Sequence, residues 1–471
     1  MLDLLKKQND EIALITKEEK LTYGSLRKKI LYFSKKFKPK SVNILLCTNS
    51  IDSIIIYLSL LYAGAIPLLL NNELDTSNIK LYKEKFKAKT VISESNKKLN
   101  LSSIYWDLNN YIIYEFNEFN QIKNKELSLL LTTSGSTGNP KVVRISKKNI
   151  VSNTKSICKY LSINKKDRHI TTLPMNYTYG LSCINTFLYS GASIVLNKYS
   201  LLERGFWDLM KKYKPTSFSG VPYTYEILHK IGFEKIINSS SSIKCYTQAG
   251  GKLDKKILKD ISELCIQNKI LFYVMYGQTE ATARMSYLPP ERILDKIDSI
   301  GIAIPGGKFE IDNELKDKVS LGKESNYGEL IYKGENVSLG YAEDFKELDN
   351  DCDSNNILRT GDLAYMDNEK YIYIVGRLNR FAKINGIRVS LYDIEEILKE
   401  QNYSIAVTSD DKNLNIYVEG DSNYINIKKI KETLINKTTL PPVSFKIFLV
   451  NKIPRNDNGK INYHNLRKNG L

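Results

Sequence analysis

Between Leu131 and Lys141 the chain reads Leu-Thr-Thr-Ser-Gly-Ser-Thr-Gly-Asn-Pro-Lys. Thr133, Ser134, Gly135, Ser136, Thr137 and Gly138 make an unbroken run of hydroxyls and glycines. Glycine lets a backbone take positive φ and come close to a ligand. Hydroxyls and successive N–H groups then offer donors to phosphate oxygens, and Lys141 supplies a cation. The run is not a Walker A loop, because Pro140-Lys141-Val142 stands where Gly-Lys-Ser/Thr is required. A phosphate-holding loop after the apolar Leu129–Leu131 is the expectation.

Three more segments carry chemistry. Tyr276-Gly277-Gln278-Thr279-Glu280 follows the apolar run Ile270–Met275 and delivers a ring, a hydroxyl and a carboxylate at a strand end. That set suits base stacking, a phosphate contact and a magnesium ligand, since Mg²⁺ is usually held by one or two carboxylates together with substrate phosphates. Leu358-Arg359-Thr360-Gly361-Asp362-Leu363 puts an acid in a tight turn, with Gly376-Arg377 following; such an acid can hold ribose hydroxyls. Near the end, Asn456-Asp-Asn-Gly459-Lys460 places a lysine after a turn glycine, as a point charge on a flexible stem.

The elements that must position these residues alternate. Ser41–Cys47 is strand-like, Ile51–Tyr62 helical, Ile66–Leu70 and Thr90–Ser93 strand-like, Ala192–Leu196 a strand and Leu201–Tyr213 a helix. Such alternation implies α/β layers with parallel strands. Around Gly328–Lys333 and Tyr371–Val375 strands and turns take over, as in a β-rich subdomain. Beyond Arg377 a small α+β unit is expected: an amphipathic helix over Val389–Glu400 with Ile394, Ile397 and Leu398 on one face, strands near Ser404–Thr408 and Asn415–Val418, and a helix near Ile425–Ile435.

Composition narrows the classes. At 471 residues two to four domains or subdomains are expected. The 42% apolar and 26% charged fractions are ordinary globular usage and argue against a disordered or fibrous chain. Six scattered cysteines without a C-x-x-C pair suggest neither a zinc ribbon nor a disulfide framework, which fits a cytoplasmic setting. Three distant histidines disfavour a His-rich metal site. The net charge of +17 is spread along the chain instead of clustered, so no nucleic-acid partner is expected. Ile54–Leu70 approaches the length of a membrane span, but Gly64 and Pro67 break it into a buried helix and a strand.

In this order the four segments resemble the adenylate-forming (AMP-binding) superfamily: acyl-CoA synthetases, adenylation domains of non-ribosomal peptide synthetases, and luciferases. The resemblance runs from about Leu45 to Lys460. It implies a large N-terminal domain of two flavodoxin-like subdomains and a β-barrel, over residues 1–377, and a small mobile C-terminal domain over 378–471. It also implies roles. Thr133–Lys141 would hold the β,γ-phosphates, and Gly250, Gly251 and Lys252 would border adenine. Tyr276 would stack on the base beside Gly277 and Gln278, Thr279 would meet the α-phosphate, and Glu280 would hold Mg²⁺. Asp362 would bind ribose with Arg377 beside it. Asn379 occupies the hinge position, where the family usually has Asp or Lys. Lys383 and Gly386 belong to a loop that serves the thioester step, and Lys460 would bridge the carboxylate and the α-phosphate.

The acid pocket departs from both familiar patterns. Pro174-Met-Asn176-Tyr177-Thr-Tyr179-Gly180-Leu181 resembles the segment where acyl-CoA synthetases often carry an aromatic–His pair and amino-acid activators Phe-Asp. With Asn176-Tyr177 there, an α-ammonium group would lack its counter-charge, and a buried unpaired ammonium is costly. A small, partly polar non-amino acid is therefore expected against Asn176, Tyr177, Tyr179 and Gln248. The implied reaction is activation of a carboxylic acid by ATP and Mg²⁺ as acyl-AMP, then transfer to the thiol of CoA or of a carrier protein's phosphopantetheine. The alternatives are a stand-alone enzyme that loads amino or hydroxy acids onto a carrier protein, and a nucleotide-binding module without catalysis.

Overall fold

All six residues of the strand Val42–Cys47 are buried, and a strand apolar on both faces needs cover on both. Its neighbours provide the middle of an eight-stranded sheet among the described residues, in the order 341–342, 142–146, 127–132, 66–71, 42–47, 90–94, 111–115 and 104–108. The central strands are parallel and the flanking ones antiparallel. The computed structural model describes residues 9–101, 104–108, 110–117, 120–132, 141–312, 327–352, 354–384, 387–399, 401, 403–410, 413–420, 425–438, 440–455, 461–463 and 465–466. Contacts divide the chain into two compact units, Met1–Lys308 with Lys333–Leu358, and Phe309–Tyr332 with Arg359–Leu471.

The apolar run after Ile51 resolves as expected. Ser50 accepts from the Ser53 N–H and starts the helix Ile51–Ala63; Gly64, at φ +69°, ends it, and the strand Ile66–Asn71 follows. No helix among the described residues is long and apolar enough to cross a membrane. A second, nine-stranded sheet runs 302–303, 286–288, 271–276, 245–248, 217–220, 168–170, 193–195, 12–15 and 20–22. Six of these strands are parallel to their neighbours, 12–15 and 271–276 included.

Because side chains alternate across a strand, each strand of the first sheet feeds two cores. Leu45, Cys47, Leu69, Leu129, Leu131, Val143 and Ile145 face one core; Val42, Ile44, Leu46, Leu68, Leu70, Leu130 and Val142 face the other. The first core also holds Ile54, Ile55 and Leu58 of the helix Ile51–Ala63, Leu181 and Ile184 of the helix Thr178–Tyr189, Leu14 and Ile194 from the second sheet, and Leu196 just after its strand 193–195. A layer of helices is thus shared by both sheets, as expected of two doubly wound subdomains. The helix expected from Leu201 begins at Arg204, after a turn.

Arg144 ties a distant segment to this frame. Its side chain is fully buried and donates to four carbonyls: Tyr341 from Nε (3.1 Å), Asn350 from Nη1 (2.6 Å), and Leu339 and Asp351 from Nη2 (2.6 and 3.2 Å). Residues 339–351 are thereby fixed along the strand Val142–Ser146.

The second unit contains most of a four-stranded sheet, ordered 307–312, 328–334, 357–366 and 372–377, at the place of the expected β-subdomain. Beyond it lie a hairpin, Phe381–Ile384 with Ile387–Ser390, and a three-stranded sheet. In that sheet Leu414–Glu419 pairs antiparallel with Ile405–Ser409 and parallel with Phe445–Val450. Helices Leu391–Lys399 and Ile427–Lys437 pack Ile394, Leu398, Ile430 and Leu434 on it. The helix expected from Val389 starts two residues later. Val389 pairs with Ala382 in the hairpin, and the Ser390 hydroxyl accepts from the Asp393 N–H at 3.2 Å, which is an N-cap.

Burial pushes the Asp393 carboxyl up to about 6, helped by Glu396 and opposed by the Ser390 bond. A carboxyl raised above its unfolded value of 3.8 holds its proton more firmly when folded, so its ionisation opposes folding as pH rises from about 4 through 6. Asp393→Asn should therefore stabilise the full chain at pH 7 by about 1 kcal/mol, discounted for solvent screening. Thermal melts should show this gain disappearing at pH 4; an equal gain at both pH values would mean that ionisation of Asp393 is not its source.

Candidate nucleotide and acid site

The loop Thr133–Pro140, with Thr133, Ser134, Gly135, Ser136, Thr137 and Gly138, lies outside the described residues. The strands on either side of it are paired, Thr132 opposite Val142. Lys141 is described, and its Nζ stands 4.0 Å from the centroid of the Tyr341 ring. The Tyr341 hydroxyl donates to Glu280 Oε1 in a short bond. Tyr341 pairs opposite Val143, a register that sets its ring beside Lys141. A cation bordering the hydroxyl-rich loop and the carboxylate of the Tyr276–Glu280 segment therefore meet on one aromatic side chain. Sequence reasoning did not single out Tyr341. Its only local signal is its place after Gly340, and Glu280 is 61 residues away.

The Tyr276–Glu280 segment leaves the strand Leu271–Tyr276 and enters a single 3₁₀ turn, Thr279–Ala281. Gln278 Nε2 donates to the Tyr276 hydroxyl at 3.0 Å. Thr282 sits at φ +68°, uncommon for a β-branched residue, and its hydroxyl donates to Asn336 O at 2.7 Å. Asn336 Nδ2 donates to Ala281 O (2.9 Å) and Arg284 O (3.2 Å), and the Ser338 N–H to Glu280 O (2.8 Å). Residues 336–341 thus clamp the turn from outside. Gly277 is needed for close approach: a Cβ there would come within 1.8 Å of Ala283 O.

On the neighbouring strand Cys245–Gln248, Gln248 Nε2 donates to Gly251 O at 2.8 Å and closes the following turn, with Gly250 at φ +91°. A Cβ on Gly250 would lie 2.6 Å from the Tyr177 hydroxyl, so the segment expected to take the acid and the turn expected to border adenine touch. Lys252 reaches Asp298 at 3.8 Å. Burial raises the Tyr177 hydroxyl to about 12. Tyr179 is buried more deeply, with its hydroxyl on Thr247 Oγ1 (2.7 Å) and Thr247 O (2.9 Å). Asn176 keeps its Oδ1 buried with no hydrogen-bond partner.

In the second unit, Asp362 and Arg377 are opposite each other in the sheet, and Arg377 Nε donates to Asp362 Oδ1 at 2.6 Å. Asp362 is 3% exposed and follows Gly361 at φ +71°. Asn379 lies in the short turn Leu378–Arg380, and Lys383 pairs along the backbone with Arg388. Gly386 and Lys460 lie outside the described residues. Arg455 and Ile461, on either side of 456–460, form an isolated antiparallel bridge. Arg380, not anticipated from sequence, donates to Glu395 Oε1 (2.8 Å) and Val407 O (3.0 Å) and stacks 4.1 Å from the Tyr463 ring. Burial, opposed by Glu395, is the largest influence on that guanidinium, and its pKa is net raised.

The model of the AMP-binding enzyme family matches residues 3–342, and the chain belongs to that family. Among its relatives is the 2-succinylbenzoate–CoA ligase of Bacillus cytotoxicus, 26% identical over 411 residues that cover 83% of this chain and 80% of that protein. The o-succinylbenzoate CoA synthetase of Bacillus subtilis, solved with an acyl-adenylate intermediate, superposes with a TM-score of 0.79 at 19% identity, covering 99% of this chain and 97% of that one. ATP-bound MatB of Rhodopseudomonas palustris does so at 0.77 and 19%, covering 98% and 96%. At these identities the two structures establish the likeness of fold.

Gly277→Ala should force the turn away from Ala283. Overpacking against backbone costs about 1–3 kcal/mol, and Tyr276 and Glu280 would shift with it. A melt showing a loss of that size, together with at least tenfold weaker ATP binding by calorimetry, is expected. Parent-like affinity for ATP would separate the turn from the nucleotide site.

Proposed function

We propose that the chain is an AMP-forming acid–thiol ligase. It activates a non-amino carboxylic acid with ATP and Mg²⁺ as acyl-AMP, releasing pyrophosphate, and then passes the acyl group to CoA. The observation that carries this reading is the meeting of Lys141 and Glu280 on Tyr341. Support for CoA as the thiol comes from relatives that are themselves named CoA ligases. A carrier protein's phosphopantetheine would present the same thiol and is the second acceptor to test.

Among the described residues no group of three or more His, Cys, Asp or Glu side chains gathers to hold a metal. Mg²⁺ keeps few protein carboxylates and shares substrate phosphates. Glu280 would hold it, and the ion would supply charge neutralisation on the phosphates. The chain's own work is positioning and electrostatics. Thr133–Gly138 and Lys141 would cradle the β,γ-phosphates, Tyr276 would stack on adenine above Gly250–Lys252, and Thr279 would donate to the α-phosphate. Asp362, oriented by Arg377, would take the ribose. The acid, seated by Asn176, Tyr177 and Gln248, presents its carboxylate to the α-phosphorus while Lys460 neutralises charge between them. Residues 378–471 would then turn about Asn379, withdrawing Lys460 and bringing Lys383 and Gly386 toward the thiol. The sulfur attacks the acyl carbonyl, a C–S bond replaces the C–O bond to AMP, and the thiol proton leaves to solvent.

ATP–pyrophosphate exchange should appear with a non-amino carboxylic acid and require Mg²⁺. Tyr341→Phe keeps the ring for Lys141 but loses the bond to Glu280, so it should raise the Mg²⁺ needed for half-maximal exchange several-fold. A folded, ATP-binding protein that shows no exchange across a broad acid panel would sink the enzymatic reading.

Lys460→Ala should slow acyl-AMP formation by about 10²–10³-fold, the usual loss when one charge contact to a transition state is removed. Given preformed acyl-adenylate and CoA, the same variant should make thioester at near the parent rate. Single-turnover assays of each half-reaction decide this, and equal damage to both halves would assign Lys460 a structural role.

A further inference from the structure

Tyr177 and Tyr179 stand two residues apart at the start of the helix Thr178–Tyr189, yet they are held very differently. Tyr177 is half-buried, and its hydroxyl abuts Gly250. Tyr179 is 4% exposed and is pinned both at its hydroxyl and across its ring. The hydroxyl lies 2.7 Å from Thr247 Oγ1 and 2.9 Å from Thr247 O. Thr247 is itself fixed, with its Oγ1 2.8 Å from the Ser219 hydroxyl and its carbonyl accepting from the Tyr225 hydroxyl at 2.8 Å. The Arg284 guanidinium carbon stands 4.9 Å from the Tyr179 ring centroid, a cation–π contact. A buried ring anchored in this way cannot turn aside without leaving polar groups unpaired in the interior, which is costly.

Beyond that ring the interior is filled. Tyr179 belongs to one buried cluster with Tyr160, Cys183, Val221, Ala249 and Met275, and Tyr177 packs against the cluster from its partly exposed side. The two tyrosine rings meet edge-on with centroids 6.3 Å apart. Arg284 sits among the same residues, donating to the Tyr160 hydroxyl (3.1 Å), Met275 Sδ (3.3 Å) and Cys183 Sγ (3.4 Å). On another face of the same helix, Thr178, Ser182 and Asn185 line a cavity with Asn153, Thr154 and Thr282. Its volume is about 10 Å³, room for about one water. A group seated against Tyr177 and the Gly250 turn therefore meets the Tyr179 ring where a longer tail would have to pass.

We propose that Tyr179 is the floor of the acid site and limits the substrate to a short-chain acid, of the size of propionate or butyrate. The inference rests on the adenylating reading above. It makes Tyr179 a specificity-determining residue: a longer alkyl or an aryl tail would have to displace a ring held by hydrogen bonds, and forcing extra atoms into a filled interior is destabilising. The 2-succinylbenzoate in the name of the Bacillus cytotoxicus relative is of the excluded size.

The test is pyrophosphate exchange with acetate, propionate, butyrate, hexanoate, octanoate and 2-succinylbenzoate, for the parent, Tyr179→Ala and Tyr179→Phe. The parent should favour its best short acid over octanoate by roughly ten- to a hundredfold in kcat/KM, the scale of overpacking a filled interior. Tyr179→Ala should gain about tenfold on hexanoate or octanoate, the worth of roughly two newly buried methylenes. Tyr179→Phe keeps the ring and should keep the parent's order of acids. Lost packing alone cannot produce a gain, so a Tyr179→Ala variant that falls equally with every acid overturns the proposal. So does a parent that takes octanoate or 2-succinylbenzoate as well as any short acid. Should Tyr179→Ala fail to fold, Tyr179→Leu, which leaves a smaller void, takes its place and the parent's own order of acids is the second check. If no acid supports exchange, the adenylating reading falls, and calorimetric titration of butyrate and octanoate onto the parent and the variant judges Tyr179 separately: octanoate binding gained by the variant upholds it, and binding equal to the parent's refutes it.

Discussion

The geometry of the first unit depends on the guanidinium of Arg144. A cation with no contact to water must find oxygen, and the four carbonyls it finds belong to residues 339–351, far along the chain. Those bonds hold the return segment against the strand Val142–Ser146. From there Asn336 and Ser338 reach the Thr279–Ala281 turn, and Tyr341 reaches Lys141 and Glu280. Removing the cation would leave four carbonyls without their charged donor, and removing the segment would leave the charge without partners. Each half stabilises the other's placement.

That mutual dependence fixes the half-buried Thr279 and Glu280 against the exposed Tyr341. Tyr341 is 40% exposed, so neither its stacking on Lys141 nor its bond to Glu280 contributes much stability by itself. Their value is orientation. Holding reacting groups in place before a ligand arrives removes entropy that would otherwise have to be lost at the moment of reaction. The strained Thr282 and the close-packed Gly277 belong to the same arrangement, since a backbone conformation of that kind persists only where its surroundings over-determine it.

Much of this was legible in the sequence, and the rest was not for definite reasons. The helix Ile51–Ala63 and the strand Ile66–Asn71 could be separated because Gly64 is a helix-ending signal inside an apolar run. The chemical segments stood out because each gathers chemically active residues in a short run. The start of the helix Leu391–Lys399 was missed by two residues, because Val389 continues the apolar period while Ser390, the true cap, was read as part of the helix. Tyr341 was invisible for another reason. Its partner Glu280 lies 61 residues away, and it stands in no distinctive local run.

The alternation of side chains in the first sheet has a consequence for how damage spreads. Leu69 and Leu131 point into the core that both sheets share with the helices Ile51–Ala63 and Thr178–Tyr189. Leu68 and Leu130, each one residue earlier, point into a core closed by the helix Thr76–Lys85 and by Leu339, Ala342 and Leu348. A void opened at the first pair faces the helices that both sheets share, whereas one opened at the second faces Leu339, Ala342 and Leu348, in the segment that also bears Tyr341. Leucines adjacent in the chain therefore support different parts of the first unit.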